Sequence, residues 1–335
     1  MPRKYVRFNY FEVQLVPAPV VLRDELNEGY QEIELLGEEE HAASWDMSGF
    51  LDYLMTHLDF NTNVAVGDEY AEIEIDSYTF DEVRNIYGFQ LSKLRDKNIP
   101  SKKRFGEIKE EILLDQDQFI GEFVSVLFDQ SYGSIALQSN LYGLSAKQTE
   151  NVLTQLRFRY LDQIGQTEEV PLVVRLAPII DRSKIERVIR ADYFKKIRVK
   201  GSNVMLDANL GEDSLLSDAR RLLNEVAGIN IDITISLGRA ERTASLDDDS
   251  IRQLIDAYNE LPEDQRPQIE ITALENEEAE IETINLLEPR MTDRISIVVE
   301  ARTTVGHEFL FNTFLETYDT RRPDIRRVLV PLDLE

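Results

Sequence analysis

Val6, Phe8 and Tyr10 are spaced two apart, and Phe11, Val13 and Leu15 continue the alternation on the opposite parity, a pattern that predicts a strand with a bulge near Tyr10. Residues 17–44 contain Pro17, Pro19, Gly29, Gly37 and the run Glu38, Glu39, Glu40, with only 32–35 strand-like, and read as a mostly irregular loop. Trp45, Phe50, Leu51, Leu54, Met55 and Leu58 form one stripe at helical spacing, which predicts a helix over 45–60 capped by Ser44, with Trp45 as a core anchor. In EYAEIEID, residues 69–76, Ala71, Ile73 and Ile75 face away from Glu72, Glu74 and Asp76, giving a strand with one solvated side. A second strand is predicted at 84–94, then a polar stretch from Arg95 to Arg104 and a short helix ending near Leu114. The order repeats with strands at 119–128 and 134–139 around a turn, and a helix capped by Ser145 that runs to about Tyr160.

The stretch from Gln163 to Glu169 lacks large apolar residues after Ile164 and marks the expected domain boundary. Beyond it, PLVVRLAP reads as a buried strand, 181–191 as a helix with Ile185, Val188 and Ile189 inward, and KKIRVKG as a strand. A helix from Asp213 or Ser214 to Val226 is stopped by Gly228, and a strand follows over 229–237. A helix over 250–261, strands at 267–274, 280–287 and 294–302, and a last helix over 306–319 complete the chain. The expected class is α+β, with two domains, 1–165 and 170–335, each a mostly antiparallel or mixed sheet with packed helices.

Charge adds what the pattern does not show. The chain carries a net −26, yet between 171 and 203 nine Lys/Arg (Arg175, Arg182, Lys184, Arg187, Arg190, Lys195, Lys196, Arg198, Lys200) stand against Asp181, Glu186 and Asp192. Residues 1–170 and 204–335 each carry −16, so a belt of +6 lies between two acidic halves. Arg182, Arg187, Arg190, Lys195, Lys196, Arg198 and Lys200 are the candidate contacts to a polyanion: a helix side and one strand face, both basic, can follow phosphates without reading bases. The alternative is that these cations pair with the chain's own excess carboxylates. No apolar run approaches the roughly 18 residues a spanning helix needs, and the N-terminus turns directly into strand-like alternation with no apolar leader. With no cysteine there are no disulfides, thiolate metal sites or thiol nucleophiles, and a cytoplasmic protein is expected.

Catalytic signatures do not assemble. His307 and Glu308 open like a metalloprotease helix, but Phe311 stands where the second histidine belongs. His41 and His57 have no second ligand at metal spacing. Asp247, Asp248 and Asp249 precede a helix, where capping accounts for them, and Glu107 and Lys109 read as solvated charge. No phosphate loop or nucleophile elbow is present, so no catalytic residue, metal ligand or cofactor is assigned. A divergent nuclease is the weakest of three readings, after a nucleic-acid-binding sensor and an acidic protein-interaction module or DNA mimic.

The run LFDQSYGSIALQSNLYGLSAKQTENVL, residues 127–153, and the strand-strand-helix unit before it carry a resemblance. An acidic-to-glycine hairpin turn (Asp129 to Gly133), a short strand, and Gly143 before the helix capped by Ser145 resemble the N-terminal region of the Rex-type phage-exclusion proteins, over about residues 65–160. The resemblance implies a cytoplasmic, non-enzymatic, dimeric protein that senses or binds DNA during phage infection; the other partner to expect is a phage or host protein.

Overall fold

The computed structural model describes residues 3–18, 21–23, 30–32, 42–181, 183–202, 218, 221–222, 224–226, 228–261, 266–279, 281–300 and 303–329, with the backbone alone at 21–23, 30–32 and 260. The fold is α+β, and every strand pairing among the described residues is antiparallel. The chain forms two compact units, unit 1 comprising Met1–Ile179 and Thr292–Glu335, and unit 2 comprising Ile180–Met291.

Unit 1 opens with β1 (Arg3–Pro17), the short pair β2 (Val21–Arg23) and β3 (Tyr30–Glu32), and β4 (Ala43–Ser44), followed by α1 (Ser48–Thr56). Strands β5 (Val64–Val66), β6 (Glu69–Ile73), β7 (Thr79–Asp81) and β8 (Ile86–Arg95) lead to a small hairpin, β9 (Ser101–Lys102) and β10 (Glu110–Glu111). Then come β11 (Ile120–Asp129), β12 (Ser134–Ser139), α2 (Ala146–Gln163) and β13 (Leu172–Pro178). The main sheet runs β13-β1-β12-β11-β8-β6-β5, with β4 also pairing β1 and β7 pairing β8.

Strand β1 corrects the expected bulge. Its pairing with β12 and with β13 is regular throughout. The apparent change of phase is a change of buried face: Phe11 and Val13 enter the core beneath α1 and α2, whereas Phe8 and Tyr10 point to the other side of the sheet. Helix α2 starts as its sequence dictates, on a capping box in which the Ser145 hydroxyl accepts from the Gln148 amide and the Gln148 side chain accepts from the Ser145 amide. Helix α1 begins later than the apolar stripe suggests, with Met47 at its N-cap, because Ser44 belongs to β4. Trp45 packs against the core, with Phe50 at 5.8 Å between ring centroids and the Arg157 guanidinium over its ring. The expected helix ending near Leu114 is the hairpin β9–β10: Gly106 turns it at φ +80°, in the left-handed region glycine tolerates.

The outer edge of β13 is closed by side chains. The Leu172 amide donates to Glu168 Oε2 (3.2 Å), the Val174 amide to Thr154 Oγ1 (2.9 Å) and the Leu176 amide to Glu150 Oε1 (2.9 Å). These are the outward N–H groups an edge strand otherwise offers to another chain.

Unit 2 holds α3 (Ser183–Ile189), β14 (Tyr193–Ser202), β15 (Asn230–Ser236), α4 (Asp248–Glu260), β16 (Gln268–Leu274) and β17 (Glu282–Asn285). Its sheet runs β15-β14-β16-β17. One face is apolar: Ile197, Val199, Ile269, Ile271 and Ile284 pack with Ile251, Leu254, Ile255 and Tyr258 of α4. Asp247 caps α4 by accepting from the Ser250 amide, the capping role its sequence suggests. Where the chain enters and leaves unit 2, Ile180 and Arg290 form a β-bridge and the Asp181 amide donates to the Pro289 carbonyl at 2.8 Å.

The chain then returns to unit 1 as β18 (Thr292–Val298), paired with β1, and α5 (His307–Val328). The divide expected at 165–170 therefore moves to 179–180, since β13 pairs with β1, and the last strand and helix belong to the first unit. Helix α5 lies on the face of β1 that Phe8 and Tyr10 occupy, Phe8 and Phe314 stacking at 3.7 Å between centroids. Gly88 of β8 admits this approach, because a Cβ there would meet the Phe311 ring at 2.5 Å. The helix continues past 319 and through Pro323, anchored on either side of the expected stop: Arg84 pairs with Asp319, Arg321 with Asp293 (2.7 Å) and Arg322 with Asp129 (2.9 Å). Its aromatic stripe is used inside unit 1, with Phe314 and Tyr318 fully buried.

Candidate functional site

The belt residues separate into four settings. On β14, Lys196, Arg198 and Lys200 project from one face while Ile197 and Val199 are buried on the other, as their alternation requires. The register brings polar neighbours onto the same face: Ser236, Thr234 and Asp232 from β15, and Thr272, Glu270 and Gln268 from β16. Arg198 grips Asp232 with two hydrogen bonds, Nε to Oδ1 at 2.9 Å and Nη2 to Oδ2 at 2.7 Å. Lys200 Nζ lies 3.9 Å from the same carboxylate, and Glu270 lies 3.9 Å from Arg198 on the other side. The Arg198 hydrogen bond holds the Asp232 carboxyl below the usual carboxylate range, with Arg198, Lys200 and Lys196 adding charge attraction. Among the described residues Lys196 makes no ion pair.

A bulge between Phe194 and Lys196 sends Lys195 elsewhere. Its ammonium donates to the carbonyls of Glu241 (3.4 Å), Arg242 (2.6 Å) and Ala244, so it holds a loop together. Helix α3 is rotated from the expected orientation: Ile189 is exposed, and Lys184 turns inward to meet Glu282 at 2.7 Å. Arg187 joins Lys184 at Glu282 (3.3 Å) and lies 3.7 Å from Asp181, and Arg190 pairs with Glu186 one turn back at 2.7 Å. Arg182 lies outside the described residues. The structure thus gathers Lys196, Arg198 and Lys200 on one surface and commits Arg187, Arg190 and Lys195 to contacts within unit 2.

Two further points bear on chemistry. His307 is buried at the start of α5, its Nδ1 3.0 Å from Ser125 Oγ, and its Nε2 has no hydrogen-bond partner. An unpartnered buried ring nitrogen is least costly as a bare lone pair, so Nδ1 carries the proton and donates to Ser125. Burial pushes this imidazole down to about 4, which keeps it neutral at physiological pH. Among the described residues no group of three or more His, Asp or Glu is placed to hold a metal ion, and no helix is long and apolar enough to cross a membrane.

Residues 1–326 match the family of unknown function DUF6731. The chain belongs to this family. No curated protein matches the sequence.

The acids that define the belt's surroundings were readable only in part. Asn230, Asp232, Thr234 and Ser236 form the polar half of a clear alternation, so Asp232 was identifiable as a face residue. That its strand lies next to β14, with Asp232 opposite Lys200, is a long-range pairing with no local signal. Glu282 is in the same position, reaching α3 from a strand almost one hundred residues downstream.

Proposed function

We propose that this chain is a cytoplasmic, non-catalytic binding protein that recognises another protein through the open polar face of the unit 2 sheet. The observation that carries this reading is the neutralisation of the belt by unit 2 itself. Lys196, Arg198 and Lys200 share their face with Asp232 and Glu270, and Arg198 already holds Asp232 in a two-pronged contact. A phosphate backbone approaching this face must displace Asp232 from Arg198, and the acidic remainder of the chain repels it as well. A partner protein bearing both signs of charge has no such obstacle, because it can extend the mixed pattern of Lys, Arg, Asp, Glu and Thr.

Polyanion binding, the activity of a phage-exclusion sensor, is the competing reading. It is favoured by one observation, that three cations alternate on one accessible strand face and Lys196 has no acidic partner among the described residues. Fluorescence anisotropy with labelled duplex and single-stranded DNA at low salt separates the two. Wild type is expected not to bind, and Asp232→Asn with Glu270→Gln is expected to gain weak binding, since the face is then purely cationic. Binding by wild type with a slope of log affinity on log salt of about −3, the value for the three cations of the β14 face, would transfer the assignment to the polyanion reading.

A further inference from the structure

The hairpin that carries β9 and β10 stands between Arg95 of β8 and Ile120 of β11, and it exposes three large apolar side chains within nine residues. Phe105, Ile108 and Leu113 are 107%, 89% and 84% exposed. Large apolar groups held this far out mark an interaction surface. The charges around them are sorted by leg. The outgoing leg, 97–104, carries Lys97, Lys102, Lys103 and Arg104 and no acid. The return leg, 107–117, carries Glu107, Glu110, Glu111, Asp115 and Asp117 against Lys109 alone. Among the described residues the arm's one ion pair is Arg104 with Glu107 at 3.6 Å, both well exposed, so the remaining charges are available.

A surface with a basic half, an acidic half and an apolar centre is complementary to itself after a two-fold rotation, which is what an isologous dimer interface requires. We infer that the arm binds the arm of a second copy of this chain, the basic leg of each lying on the acidic leg of the other and Phe105, Ile108 and Leu113 meeting between them. An anionic lipid surface fits less well, because it would repel the five acids of the return leg. The inference is independent of what the unit 2 face binds. It also uses a different surface from Phe311, Phe314 and Tyr318 of α5, which are buried within unit 1.

Sedimentation velocity on the full chain is the test. Wild type should dimerise, and Phe105→Asp with Ile108→Asp should raise the dissociation constant by roughly 30-fold or more, the loss of a central anchor, with an unchanged melting temperature because the replaced side chains are almost wholly exposed within the chain. Charge reversal gives the sharper result. Lys102→Glu with Lys103→Glu leaves three basic residues against seven acids and turns the arm strongly acidic, Glu110→Lys with Glu111→Lys leaves seven basic residues against three acids and turns it strongly basic, and each variant alone should be monomeric while the two mixed form a heterodimer. Wild type that stays monomeric at every concentration overturns the inference. So does a dimer unaffected by the Phe105 and Ile108 replacements, or Phe105-dependent sedimentation with phosphatidylserine vesicles in place of self-association.

Discussion

Arg322 in unit 1 and Arg198 in unit 2 make the same chemical contact, a guanidinium on an aspartate, in two different settings. Asp129, the partner of Arg322, is fully buried and also accepts from the Tyr318 hydroxyl at 2.8 Å and the Ser131 amide at 2.9 Å. Asp232, the partner of Arg198, is on an exposed sheet face, its side chain 47% accessible. In the first setting burial pushes the Asp129 carboxyl up while Arg322 and Tyr318 pull it back, so the charge is tolerated only because its partners are in place. In the second, water already solvates both ions, and the pair changes what the surface attracts far more than how firmly the unit folds. The same chemical pair therefore fastens α5 in one setting and in the other neutralises part of an exposed sheet face.

The largest test of this contrast is Arg322→Ala. It leaves Asp129 buried without its cation, and unit 1 should lose about 3 to 5 kcal/mol in denaturant unfolding at neutral pH. Because the Asp129 carboxyl is raised in the fold, its ionisation opposes folding as pH rises, so the deficit should shrink in acid, where a protonated Asp129 needs no counter-ion. A deficit that is the same at acid and neutral pH would mean that Arg322 acts by packing over Tyr132 rather than by charge.

The second test concerns a buried ionisable group at the start of α5. The His307 imidazole falls from an ordinary value near 6.5 to about 4 in the fold. A depressed base contributes stability that is complete above the unfolded value and lost as pH drops toward the folded one. Wild type should thus lose ~3 kcal/mol between pH 6.5 and 4 relative to His307→Gln, which keeps a donor for Ser125 but cannot titrate. Parallel pH profiles for the two proteins would show that the site admits the proton freely. The smallest effect is expected from Arg198→Ala: no measurable change in melting temperature, in contrast to Arg322→Ala, with the consequence confined to binding at the sheet face.

Local pattern carried much of this architecture. The stripe and caps of α2 and α4 and the hairpin of β11 and β12 depend on neighbours within a few residues, and the sequence places them within a turn of where they stand. Three features have their cause far along the chain. Strand β1 changes its buried face because α5, three hundred residues on, covers only its first half. The residues after Arg104 suggest a helix, but Phe105 and Ile108 stay exposed and Gly106 makes a turn instead. Whether the belt faces a polyanion or pairs internally is undecided by its own residues, because the acids that claim part of it, Asp232 and Glu282, arrive from other strands. Charge counted along a sequence cannot distinguish a cation facing water from one already held, since only the strand pairing decides which acid comes opposite.

The β-bridge between Ile180 and Arg290 has a bearing on folding entropy. Seen from unit 1, everything between β13 and β18 is a loop, and a flexible loop of that length would oppose the β1–β18 pairing by an amount growing as the logarithm of its length. Unit 2 folds with its own two ends side by side at that bridge, so once it has formed, the remaining closure is that of a tight turn. A sheet frame closed in this way is insensitive to how much protein lies beyond the bridge, and an insertion there can be lengthened, shortened or exchanged while β1 continues to find β18.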